Sequence, residues 1–177
     1  MNDYLVNVEN GTAKGDSVFY TLAYDMLDNE CKRLRDFTDS LDKEPNNKKE
    51  KIAEYKCAKY RLASLGRIFN LLYYGNYVYR QSCKHIEIDN CLKHNKEILS
   101  LIENAELDKA IDMKLYYGIS IYINECLTEL NVKLKNANDF EKIELQERID
   151  GLKFAKDCLD MACSNVAKDY LPLPWRN

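Results

Sequence analysis

The sequence predicts an all-α protein: an antiparallel bundle of about five helices with a short irregular N-terminal arm and an extended C-terminal tail. Three observations carry that reading. Six Gly and three Pro in 177 residues leave few turns, so the elements between them are long. Apolar residues recur at three- and four-residue steps through most of the chain. The one alternating run near the N-terminus, Tyr4 to Val8, leads through Asn10-Gly11 to no second alternating run. The length fits one domain: residues 1–16 as the arm, 17–170 as the bundle and 171–177 as the tail.

The first helix is expected from Asp16 or Ser17. Its stripe is Val18, Phe19, Leu22, Ala23, Met26, Leu27, Leu34, Phe37 and Leu41, and Pro45-Asn46-Asn47 ends it and turns the chain. Glu30 falls inside the stripe. A carboxylate there is expected to pair with a nearby Arg or Lys, because buried charges are paired. The second helix is expected from Lys48 to Tyr74, with Ile52, Tyr55, Ala58, Leu62, Leu65, Phe69 and Leu72 inward and Gly75-Asn76 as a left-handed C-terminal cap. Residues 77–88 read either as a kinked continuation or as extended chain. A shorter helix then carries Cys91, Ile98, Leu99 and Ile102. The fourth helix spans about Ala105 to Lys135. The strand-like alternation of Ile119 to Ile123 is overruled by the helical stripe on both sides. Asn138 followed by Glu141 matches a capping box and opens the fifth helix, Asp139 to Asp169. Two prolines keep the tail Leu171 to Trp175 out of helix.

Composition bounds the function classes. No apolar run reaches the roughly 18 residues that cross a bilayer, and Met1 to Val8 lacks the basic-then-apolar plan of a secretion signal. Seven Cys, an odd number with no tight spacing, read as free thiols of a cytoplasmic protein. Abundant Lys, Asn, Ile and Tyr match AT-rich codons, as in a low-GC bacterium, a phage or a mobile element. The net charge of −3 hides an asymmetry. Residues 1–47 hold five basic against ten acidic side chains, residues 48–84 nine against two, and residues 85–177 twelve against seventeen. A basic middle lies between acidic flanks.

Three constellations carry candidate functions. On the fourth helix Tyr117, Ile121 and Val132 lie opposite the main stripe, and on the fifth Ile143, Phe154 and Met161 form a second apolar line. A helix apolar on two sides is central in its bundle or covered by a partner. With thirteen Tyr against five Phe, and with Trp175 in the tail, these residues point to a protein partner or self-association. The expected function is therefore a non-catalytic interaction module: an adaptor, an assembly subunit or an inhibitor acting by occlusion. The alternative is a nucleic-acid-associated subunit. The outer face of the second helix carries Lys49, Lys56, Lys59, Tyr60, Arg67 and Tyr74, cations for phosphates interleaved with rings for bases. Its plainer explanation is a charged face paired with the acidic first helix.

The third reading is a small zinc protein. Cys83, His85, Cys91 and His94 hold both histidines in a C-x-H-x5-C-x2-H spacing, and Cys and His are zinc's preferred ligands. That spacing follows no known finger, ribbon or ring pattern. No other cofactor and no membrane partner is expected. A glycine-rich phosphate loop, a serine-nucleophile elbow and an H-E-x-x-H box are all absent from the sequence.

Overall fold

The computed structural model describes residues 18–84 and 107–170. They form α1 (Val18–Lys43), α2 (Pro45–Glu50), α3 (Ile52–Lys84), α4 (Leu107–Asn136) and α5 (Asp139–Tyr170). No strand occurs among the described residues, and Ile119 to Ile123 is helical. The expected arm, the expected helix around Cys91 to Ile102 and the tail lie outside them.

Two sequence-based boundaries are corrected. α1 does end before Pro45 and the chain does turn back, but the proline opens the short helix α2 at its first position, where the next helix was expected only from Lys48. A ring without an N–H fits that position, because the first turn has no acceptor for the proton. Glu44 alone separates α1 from α2, with its N–H on the Leu41 carbonyl at 3.2 Å and its own carbonyl taking the Lys48 N–H at 2.9 Å. Gly75-Asn76 is not a cap either, since α3 runs through it to Lys84. A methyl group built on Gly75 would lie 2.8 Å from Leu115 Cδ2. The glycine is there for the close approach of α4, not for a left-handed turn.

The capping box at α5 forms as expected. Asn138 Oδ1 accepts the N–H groups of Phe140 and Glu141 at 3.1 and 3.0 Å, and Glu141 Oε2 accepts the Asn138 N–H at 3.2 Å. Those bonds satisfy donors that the first turn leaves open. They fix the start of α5 directly after the short Ala137–Asn138 connection.

Side-chain contacts fix the helix directions. The Tyr24 ring lies 4.8 Å from that of Phe69, while Asp42 accepts from Tyr55 at the other end, so α1 and α3 are antiparallel. Leu115 at Gly75 and the Arg67 guanidinium over the Tyr122 ring make α3 and α4 antiparallel. The Tyr116 hydroxyl donates to Asp160 at 2.8 Å and makes α4 and α5 antiparallel. Arg61 meets Glu147, and Ser64 meets Gly151, so α3 and α5 run parallel. The long helices therefore go up, down, up, down. α3 and α5 share the most extensive interface, and α1 and α4 each pack against both.

Small residues bring the central pair together. Gly151, Ala155, Cys158 and Ala162 are buried at i, i+4, i+7 and i+11 along α5. Leu65, Ile68 and Leu72 of α3 fill the core with Phe19, Leu27, Ile123 and Leu159. Ile68, fully buried, belongs to the inner stripe, whereas Ile52 at its predicted start is 43% exposed.

Candidate interaction surface

α3 is central, yet its outward side is bare. Beyond Glu54 its exposed residues are Lys56, Lys59, Ala63, Arg67, Asn70, Leu71, Tyr73, Tyr74, Tyr77 and Val78. Steps of three and four place most of them on one ridge. The first half is cationic, and the second is aromatic and aliphatic. Tyr74 is 61% exposed, Tyr77 58% and Val78 52%. The sequence shows these rings clustered, but ending the helix at Tyr74 hides the fact that Leu71, Tyr74 and Val78 line up. The contacts of Gly75 and Arg67 with α4 put Gly118 level with Leu71. Gly118 is exposed, and a methyl group there would meet nothing within 4 Å.

The basic face is thinner than its sequence reads. Lys49 lies on α2, not α3. Tyr60 is half-buried with the Arg148 guanidinium 6.0 Å from its ring centroid, so it offers no open stacking platform. Lys48 pairs with Asp42, whose carboxyl sits below the usual carboxylate range because Lys48 hydrogen-bonds it. Lys59 hangs over the Tyr55 ring at 5.3 Å, and Arg67 over that of Tyr122 at 5.1 Å. Lys56, Lys59, Arg67 and Tyr74 do share the ridge. Among the described residues no ion pair holds Lys49, Lys56 or Arg67.

Part of the charge asymmetry is thus resolved inside the bundle. Arg61 of α3 reaches α5, with Nη2 2.8 Å and Nε 3.0 Å from Glu147 Oε2 and Asp150 at 4.0 Å. Its charge is also felt by Glu30 of α1. Glu30 itself is held by Arg33 through two hydrogen bonds of 2.7 Å, and this pairing lowers its pKa. The carboxylate in the apolar stripe is therefore the paired group the sequence led one to expect. It flanks the core, and Cys31, 1% exposed, takes the inward position.

The second apolar lines are exposed in part. Ile121 and Val132 face outward on α4 and edge a shallow depression with Asn124, Glu125 and Thr128. Tyr117 is half-buried, its ring 5.5 Å from that of Tyr116. On α5 Ile143, Phe154 and Met161 are exposed, as is Phe140 at 87%, which the sequence reading passed over. The two lines do not merge. Phe154 and Met161 are turned about 100–120° around α5 from Asp160, the residue that meets α4. Trp175 lies outside the described residues.

The same holds for His85, Cys91 and His94 of the Cys/His cluster, while Cys83 falls in the last turn of α3. Among the described residues no three His, Cys, Asp or Glu side chains stand together to hold a metal.

Burial shifts several ionisable groups of the core. Burial pushes the thiols of Cys31, Cys57 and Cys163 up and that of Cys158 to about 11. Burial and the bond to Asp160 keep Tyr116 protonated. No helix of the described residues is long and apolar enough to cross a membrane. No family model, curated protein or solved structure matches the chain.

Proposed function

We propose that the chain is a non-catalytic protein-interaction module, an adaptor, assembly subunit or occluding inhibitor that works through the outward side of α3. One observation carries this reading: Leu71, Tyr74, Tyr77 and Val78 stand exposed on successive turns of a helix that, like α5, packs against every other long helix. Apolar side chains in register on a rigid element form a preorganised contact patch, and tyrosine adds area at low entropic cost. Ile121 on α4 is exposed as well.

Capture from lysate of the source cell, split into nuclease-treated and untreated halves, tests the reading. The expected result is a stoichiometric protein in both halves, lost when Tyr74→Glu is combined with Val78→Glu. Each substitution removes a central contact, and together they should weaken binding at least about a hundredfold. Far-UV circular dichroism should not change. A partner that vanishes with nuclease treatment overturns the reading. It would favour nucleic acid instead, for which Lys56, Lys59, Arg67 and Tyr74 on one ridge are the supporting observation. In that case Lys56→Glu with Arg67→Glu should abolish a strongly salt-dependent binding.

A further inference from the structure

We infer that the α3 ridge receives an acidic amphipathic helix of a partner protein, its acidic turns along Lys56, Lys59 and Arg67 and its apolar turns along Leu71, Tyr74 and Val78. This rests on the interaction reading above and names the class of partner.

The ridge lies on one unbroken helix and is polarised. From Lys56 to Val78 it runs about 33 Å, the length of a six-turn helix. From Tyr55 to Lys84 the chain carries neither Asp nor Glu, and Glu54 in the first turn of α3 projects from the opposite side of the helix to Lys56, so no carboxylate within the ridge competes for the three cations. The Lys59 and Arg67 head groups rest on the rings of Tyr55 and Tyr122. That contact orients a cation but leaves its charge intact. Side chains at three- and four-residue spacing form the ridges and grooves into which a second helix packs. Charge at one end and apolar surface at the other fix the direction in which it lies.

The alternatives fit less of the ridge. Leu71 and Val78 give a nucleic acid no stacking surface among the tyrosines, and three cations hold phosphates only weakly at physiological salt. A second copy docked ridge to ridge brings no carboxylate to those cations.

The test replaces Ala63, and separately Tyr77, with the photo-cross-linker p-benzoylphenylalanine in the full chain. The protein is irradiated in lysate of its source, and the cross-linked peptides are sequenced. Expected is one segment of one partner at both positions, rich in Asp and Glu where Ala63 touches it and apolar where Tyr77 does. Lys56→Glu with Arg67→Glu should cut both yields about tenfold or more, as two lost charge contacts require. Lys56→Arg with Arg67→Lys should keep them.

A neutral or basic peptide, a peptide of this chain, a nucleic-acid adduct or no adduct each overturns the assignment. Partner capture that survives Lys56→Glu with Arg67→Glu also removes this inference while leaving the interaction reading intact. Absence of any captured protein removes both.

Discussion

Two glycines bring helices close in this bundle, and their surroundings differ. Gly151 of α5 faces main chain. A methyl group there would lie 3.0 Å from the Arg61 carbonyl oxygen and 3.2 Å from Ser64 Cβ. Gly75 of α3 faces only the end of one side chain, Leu115 Cδ2 at 2.8 Å. The shorter distance is the softer contact, because a leucine methyl can rotate away and a helix backbone cannot. The crossing at Gly151 is also bound by charge, with Arg61 reaching Glu147 beside it. Beside Gly75 the charged contact is a cation on a ring, the Lys114 ammonium 4.4 Å from the Tyr79 centroid, with no ion pair among the described residues.

The largest expected effect follows from the rigid crossing. Gly151→Val should lower unfolding stability by about 3 kcal/mol, since branched bulk against main chain cannot be relieved locally. Urea denaturation measures it, and an unchanged midpoint would break the contrast between the two sites.

A second expectation concerns the same line of small residues, which continues to Cys158. That residue is 1% exposed, with its thiol pushed to about 11 by burial. A folded pKa raised above the unfolded value leaves stability intact below the ordinary thiol range. The loss comes as pH climbs from there through about 11. Cys158→Ala should therefore lose less stability than the parent between pH 9 and 11, by on the order of 2 kcal/mol. Parallel pH curves for the two proteins would mean that the thiol reaches solvent.

The smallest effects belong to the soft sites. Gly75→Ala should stay within about 0.5 kcal/mol of the parent, because gained helix propensity and the displaced Leu115 methyl offset each other. Gly66→Ala, where a methyl group meets nothing within 4 Å, should raise stability by about 0.5–1 kcal/mol. Thermal midpoints of the pair separate the two cases. A larger gain at Gly75 than at Gly66 would show that Leu115 imposes no constraint.

These glycines also mark where sequence reading reached its limit. The bundle was legible because its stripes are long and its capping box is local: Asn138 and Glu141 need only each other and one turn of backbone. Glu30 was legible as a paired group because its partner, Arg33, is one turn away. Gly75 was not, because a glycine serving a left-handed cap and one serving a tight crossing look alike until the crossing helix is known. The misplaced helix end then concealed the ridge from Leu71 to Val78. Pro45 posed the same ambiguity, as breaker or as first residue. How the two apolar lines expected on α4 and α5 lie relative to each other was not legible, because which flank of a helix meets its neighbour depends on packing. The share of basic charge used inside the bundle was equally hidden, since Arg61 meets Glu147 across 86 positions of sequence.

The parallel pairing of α3 with α5 has a consequence for how the chain is made. A ribosome delivers α1 and α3 first, and that hairpin emerges with the side of Leu65, Ile68 and Leu72 that awaits α5 still open to water. Closure waits for the line from Gly151 to Ala162, near the end of the described chain. The nascent protein therefore carries an uncovered apolar flank from Leu72 until Ala162 has been added, about half of the sequence, and transiently exposed surface of that kind is prone to aggregate and is what chaperones bind.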